Sequence, residues 1–99
     1  MRLGFPELLR RLRAQHHITQ RDLADKIGVD YTYISKIENE ALDPPSEDTL
    51  IKMADVFGVD KYEFILVAGK IPSEFEHVIR TDEEIVKLIK DRLRKEERE

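Results

Sequence analysis

Ala24-x-x-x-Gly28, followed at fixed distances by Ile34 and Ile37, limits what this chain can fold into more than any other feature. Leu23, Ala24 and Ile27 fall at i, i+1 and i+4, on one face of a helix. Ala24 is small enough for a second helix to approach closely. Gly28 ends the first helix, because a residue without Cβ takes a left-handed C-cap cheaply. Val29 fills the corner, and Asp30 caps a second helix by accepting from its free N–H groups. Ile34 and Ile37 turn the apolar face of that second helix inward. Tyr31, Thr32, Ser35, Lys36 and Asn39 are then predicted to face out. A short helix anchored from behind, with polar groups pointing outward, has the shape a DNA major groove accepts. An ordinary corner between two helices would share parts of the pattern. The joint spacing sets this one apart.

The residues around the corner carry a resemblance. Leu9-Arg10-x-Leu12-Arg13-x-x-x-x-Ile18-Thr19-Gln20-x-x-Leu23-Ala24-x-x-x-Gly28-Val29-x-x-x-x-Ile34-Ser35-x-Ile37-Glu38 resembles the repressor/Cro-type (xenobiotic-response-element) helix-turn-helix family of transcriptional regulators. Pro45-Ser46-x-x-Thr49-Leu50-x-x-x-Ala54-x-x-Phe57-Gly58-Val59 continues the match, which covers about residues 5–69. The resemblance implies a five-helix DNA-binding domain that is usually dimeric. Two positions depart from the family pattern. His17 stands where a helix-ending Gly is common, and Glu40 stands where a Gly often follows Asn39. His tolerates the left-handed region better than most residues. Glu40 brings negative charge close to the expected phosphate path.

Read along the chain, the fold class is all-α, with a DNA-binding domain over residues 1–69 and a C-terminal helical extension over residues 70–99. A first helix runs from about Pro6 to Gln15, with Leu8, Leu9 and Leu12 as its buried stripe. A second spans Gln20 to Ile27 with Thr19 as cap, and a third spans Tyr31 to Asn39. The paired prolines of Glu40–Pro45 forbid helix there. A fourth helix starts at cap Ser46, turns Leu50, Met53, Ala54 and Phe57 inward, and stops at Gly58. Asp60-Lys-Tyr-Glu63 reads as a capping box opening a fifth, which ends near Gly69. After the break Lys70-Ile-Pro72, Ser73-Glu-Phe-Glu76 and Thr81-Asp-Glu-Glu84 read as two further boxes. The last helix, to about Glu97, has an apolar stripe of Ile85, Val86, Leu88, Ile89 and Leu93.

Composition removes whole classes of function. The 99 residues hold no cysteine, so neither a disulfide framework nor a thiolate metal site is available. No apolar run approaches 18 residues and no signal peptide is apparent, so a cytoplasmic, membrane-free protein is expected. His16 and His17 are adjacent and diverge, and His77 is alone, so metal binding is not expected. No nucleophile–base pair, phosphate loop or paired carboxylates suggest an enzyme or a cofactor. The net charge of −4 argues against a DNA-binding protein, but its distribution argues the other way. Residues 1–37 carry seven Lys or Arg against four acids, and residues 38–99 carry ten against seventeen.

The candidate DNA-binding residues are Thr19, Gln20, Arg21, Tyr31, Thr32, Tyr33, Ser35, Lys36 and Asn39. Thr19-Gln20 opens a helix whose N-terminus offers N–H groups and partial positive charge to a phosphate. The resemblance puts Gln20 on a phosphate or nearby base edge; a solvent-facing Gln is the plain alternative. Thr32 offers a methyl to thymine and a hydroxyl to a base edge, and Lys36 reaches guanine or phosphate. The Tyr33 ring either packs on the domain with its hydroxyl on phosphate or belongs to a mixed polar surface. By resemblance Asn39 donates to phosphate; it also suits a C-cap in a left-handed turn. The resemblance further implies a partly buried Arg13–Glu38 ion pair tying the first helix to the third.

An isolated amphipathic helix must bury its stripe. The favoured partner of the C-terminal helices is a second copy of the chain, with double-stranded DNA as the ligand of the first 69 residues. Two other readings remain. One is an antitoxin-type protein whose C-terminal helices hold a toxin. The other is a protein-binding adaptor without a DNA role.

Overall fold

The computed structural model describes residues 4–98; Arg2 of the basic half, and Met1 and Glu99 at the ends of the two predicted segments, lie outside the described residues. The described residues form seven helices: α1 Phe5–Gln15, α2 Gln20–Ile27, α3 Tyr31–Glu38, α4 Glu47–Phe57, α5 Lys61–Val67, α6 Ser73–Thr81 and α7 Glu83–Arg98. None is long and apolar enough to cross a membrane.

α1 starts one residue before the predicted Pro6, because Pro6 is tolerated within the first turn. That adds Phe5 to the buried face, where its ring meets Phe64 edge-on at 5.3 Å. Leu9 and Leu12 are buried, whereas Leu8 is only half-buried against the core. Leu23, Ala24, Ile27, Ile34, Ile37, Leu50, Met53, Ala54 and Phe57 are buried as predicted. The core is thus shared by α1 to α5.

The α2–α3 corner turns at Gly28, with φ 75°, and the Val29 N–H returns to the Ala24 carbonyl at 2.9 Å. His17, between α1 and α2, occupies the left-handed region at φ 55°, in the place where the family pattern favours Gly.

The caps depart from the sequence reading in instructive ways. Thr19 and Asp22 form a reciprocal capping box, with bonds of 3.0 and 3.2 Å. Asp22 fills the third position, where Glu or Gln is the usual residue. Ser46 stands at the α4 cap position, but its hydroxyl donates to the Thr49 hydroxyl at 3.3 Å instead of capping the helix. Asp60 caps α5 alone, accepting from the N–H groups of Tyr62 and Glu63.

The two predicted C-terminal boxes are displaced. The Pro72 ring is fully buried and stands at the α6 cap, so Ser73 falls inside the first turn. Its N–H instead donates to Glu47 Oε1 of α4 at 2.7 Å. Thr81 closes α6, donating its hydroxyl to the His77 carbonyl. Asp82 is the α7 cap, accepting from the N–H groups of Glu84 and Ile85.

α6 and α7 pack on one another, and α6 reaches α5 through polar and aromatic contacts. The Tyr62 hydroxyl donates to Glu74 at 2.6 Å, Lys61 stands 3.5 Å from the same carboxylate, and the Tyr62 and Phe75 rings are 5.1 Å apart. The Tyr62 hydrogen bond, aided by Lys61, holds the Glu74 carboxyl below its ordinary range. Their apolar faces remain open: Val78, Ile79, Leu88, Ile89 and Leu93 are all exposed.

Candidate nucleic-acid interface

α3 is seated from behind by Ile34, Ile37 and Glu38, all buried. The Arg13 guanidinium grips the Glu38 carboxylate through two bonds of 2.6 Å, Nε to Oε2 and Nη2 to Oε1. A third Arg13 nitrogen donates to the Ile18 carbonyl at 3.2 Å. Arg10 donates to the Glu38 backbone carbonyl. One cluster therefore ties α1, α3 and the segment leading into α2, and its two-point fork fixes orientation as well as distance. The Arg13–Glu38 pair was implied by resemblance; the part played by Arg10 and Gln20 was not foreseen.

Gln20 lies against the Arg13–Glu38 cluster. Its amide donates to Glu38 Oε1 at 3.2 Å, and the residue is half-buried. One N–H of its amide is engaged there, which leaves the second N–H and the carbonyl oxygen for a ligand. A polar residue 18 positions from its partner leaves no local spacing signal, and only the folded corner brings the two together.

The outer face of α3 carries Tyr31, Thr32, Lys36 and Asn39 as predicted. Thr32 is partly committed: its N–H and hydroxyl both donate to Asp30 Oδ1, at 3.0 and 3.1 Å. Its methyl and the hydroxyl lone pairs stay available. These bonds, the backbone one first, hold the Asp30 carboxyl below its ordinary value. Ser35, predicted to face out, is half-buried and lies 3.5 Å from the Asn39 amide. Tyr33 is half-buried against the core, which pushes its phenol up, in keeping with the packed alternative.

Asn39 is the C-cap of α3, but with φ −94° it is not left-handed. Glu40 takes that conformation at φ 61°, and the Ala41 N–H then reaches back to the Lys36 carbonyl at 2.8 Å. The register of the last helical carbonyls sets which residue turns, and it overrides the greater tolerance of Asn.

Beside α3, the N-terminus of α2 opens on a cleft of about 660 Å³ lined in part by Arg13, His17, Thr19, Gln20, Arg21 and Tyr31. Arg21 lies over the Tyr31 ring, with Cζ 4.5 Å from its centroid. Among the described residues no group of three or more His, Asp or Glu side chains is placed to hold a metal ion.

A profile described as helix-turn-helix matches residues 9–64, more than half of the chain and the span from α1 into α5. This chain belongs to the helix-turn-helix family. In this helix-turn-helix protein α2 and α3 are the paired helices. It resembles a crystal structure of SinR, the master regulator for biofilm formation, in complex with DNA. The identity is 27% and the TM-score 0.56, over 61% of this chain and 95% of that one. It is also similar to the N-terminal DNA-binding domain of SinR from Bacillus subtilis, at 27% identity and TM-score 0.56, over 61% of this chain and 87% of the other. A complex of the SinR and SinI proteins matches 96% of this chain and 99% of its own at 20% identity and TM-score 0.57, a likeness of fold that extends through the C-terminal helices. No curated protein matches the chain.

Proposed function

We propose that this helix-turn-helix protein is a sequence-specific DNA-binding transcriptional regulator, acting as a dimeric repressor that reads a palindromic operator with α3 in the major groove. The observation that carries this reading is the construction of α3. Its inner face is locked by two buried isoleucines and a bidentate Arg–Glu pair, while Tyr31, Thr32 and Lys36 are exposed on its outer face. The likeness to SinR bound to DNA supports it. Thr19, Gln20, Arg21 and Asn39 flank that face and are assigned to phosphates; Tyr31, Thr32, Ser35 and Lys36 are assigned to base edges, and Tyr33 to a phosphate through its hydroxyl. The family points to DNA binding rather than catalysis. A regulator of this kind works in the cytoplasm, beside the chromosome.

Residues 1–69 are assigned to DNA and residues 70–99 to assembly. α6 and α7 leave an apolar groove of about 360 Å³ lined by Phe75, Val78, Ile79, Ile85 and Ile89. Burying such side chains stabilises association, and a second copy is the simplest occupant. A different protein at the same helices is the second reading, supported by the fold likeness to the SinR/SinI complex. An antitoxin-type protein would form a stable hetero-complex on pull-down.

The test is selection of bound sites from random duplexes. Enrichment of a palindrome is expected. Recovery of random sequence at no better than non-specific affinity would overturn the reading.

A further inference from the structure

Arg21 is the second residue of α2 and Tyr31 the first of α3, so their contact bridges the N-termini of both paired helices. At 4.5 Å from the ring centroid, the Arg21 guanidinium is within cation–π range. No ion pair among the described residues takes Arg21, in contrast to Arg13, whose fork is consumed by Glu38. Lying on the ring occupies one flat face of the guanidinium. It leaves the rim, where all the N–H donors lie in one plane. A free arginine loses much orientational freedom on binding, and a guanidinium already held on a ring loses less.

We propose that Arg21 and Tyr31 act as one preset recognition unit, in which the Tyr31 ring fixes the plane of the Arg21 guanidinium and its rim takes a pair of in-plane acceptors on DNA. This rests on the DNA-binding reading above. Acceptors of that chemistry are the O6/N7 edge of a guanine and two oxygens of one phosphate. Tyr31 is a positioning residue here. To this unit it contributes its ring face.

The test uses the full chain on the duplex it selects. Both side chains are exposed, so variants are expected to fold, and thermal unfolding checks this. Tyr31→Phe keeps the ring and is expected to bind clearly better than Tyr31→Leu, which lacks it. Arg21→Lys keeps the charge but loses the plane, and Tyr31→Leu loses the platform; each is expected to weaken binding about ten-fold. The double variant is expected to stay within about two-fold of the weaker single one, since the two act together. Replacing each guanine in turn by 7-deazaguanine separates the sources. If guanine is the acceptor, one replacement erases the difference between the parent and Arg21→Lys. If phosphate is, none does, and Arg21→Ala lowers the salt slope by about one.

Arg21→Lys binding like the parent would overturn the proposal, because charge alone would then suffice. So would Tyr31→Phe binding as poorly as Tyr31→Leu, or fully additive losses. A parent chain that selects no duplex would overturn the DNA-binding reading itself, and this unit with it.

Discussion

A carboxylate whose side chain is 2% exposed survives inside a protein only when its charge is paired and its lone pairs are met. Glu38 meets that demand with both arms of Arg13 and the Gln20 amide. Removing it leaves Arg13, whose side chain is 17% exposed, without its partner. Glu38→Ala is therefore expected to cost about 3 kcal/mol, the low end for breaking a buried pair, because Arg13 keeps some contact with water. Urea unfolding at neutral pH measures this, and a midpoint equal to the parent's would contradict it. At this scale the sequence was only partly legible. Gly28 and Asp30 declared their roles through local chemistry. Arg13 and Glu38 are 25 positions apart, and only a family resemblance joined them. Gln20 was read as a DNA contact or a solvent-facing residue, because nothing nearby in sequence marks Glu38 as its partner. A left-handed turn at Asn39 was one of two readings of that residue, and the hydrogen-bond register places the turn at Glu40 instead.

Among the elements, α1 to α5 were readable because each buries a regular apolar face on one core. The helix starts of α6 and α7 were each displaced by one residue. Both segments offer adjacent cap candidates, and tertiary demands decided between them: a buried Pro72 ring in one case, and the completion of α6 by Thr81 in the other. Two caps near the interface predict an acid response. Backbone and hydroxyl hydrogen bonds from Thr19 hold the Asp22 carboxyl below the ordinary 3.8, and those from Thr32 do the same for Asp30. A folded-state value below the unfolded one stabilises at higher pH, and that contribution disappears as pH falls through the folded values. The thermal midpoint is expected to fall as pH drops below about 4, the ordinary aspartate range. Asp22→Asn combined with Asp30→Asn should start from a lower midpoint and lose less on acidification. An acid loss as large as the parent's would show that other carboxylates dominate.

For the whole molecule, a net charge of −4 coexists with a basic excess in the first 37 residues, so charge is unevenly divided along the chain. The open apolar faces of α6 and α7 predict assembly. A chain ending at Pro72 keeps that buried ring and the shared core of α1 to α5, and is expected to remain folded but sediment as a monomer. Its DNA affinity should fall sharply, because the second half-site no longer adds to binding. Retained dimerisation would move the interface onto α4 and α5. In a two-fold dimer the recognition helices would stand about 34 Å apart, or a multiple of that, and half-site spacing would report it. On the proposed function, the outer face of α3 reads DNA bases. Its most direct test is the affinity of Thr32→Ala and Lys36→Ala for the selected duplex and for every single-base variant of it. Both proteins should unfold like the parent, and each should lose about 1–3 kcal/mol of binding with relaxed preference at one position. Parental discrimination at every position in both variants would contradict the account.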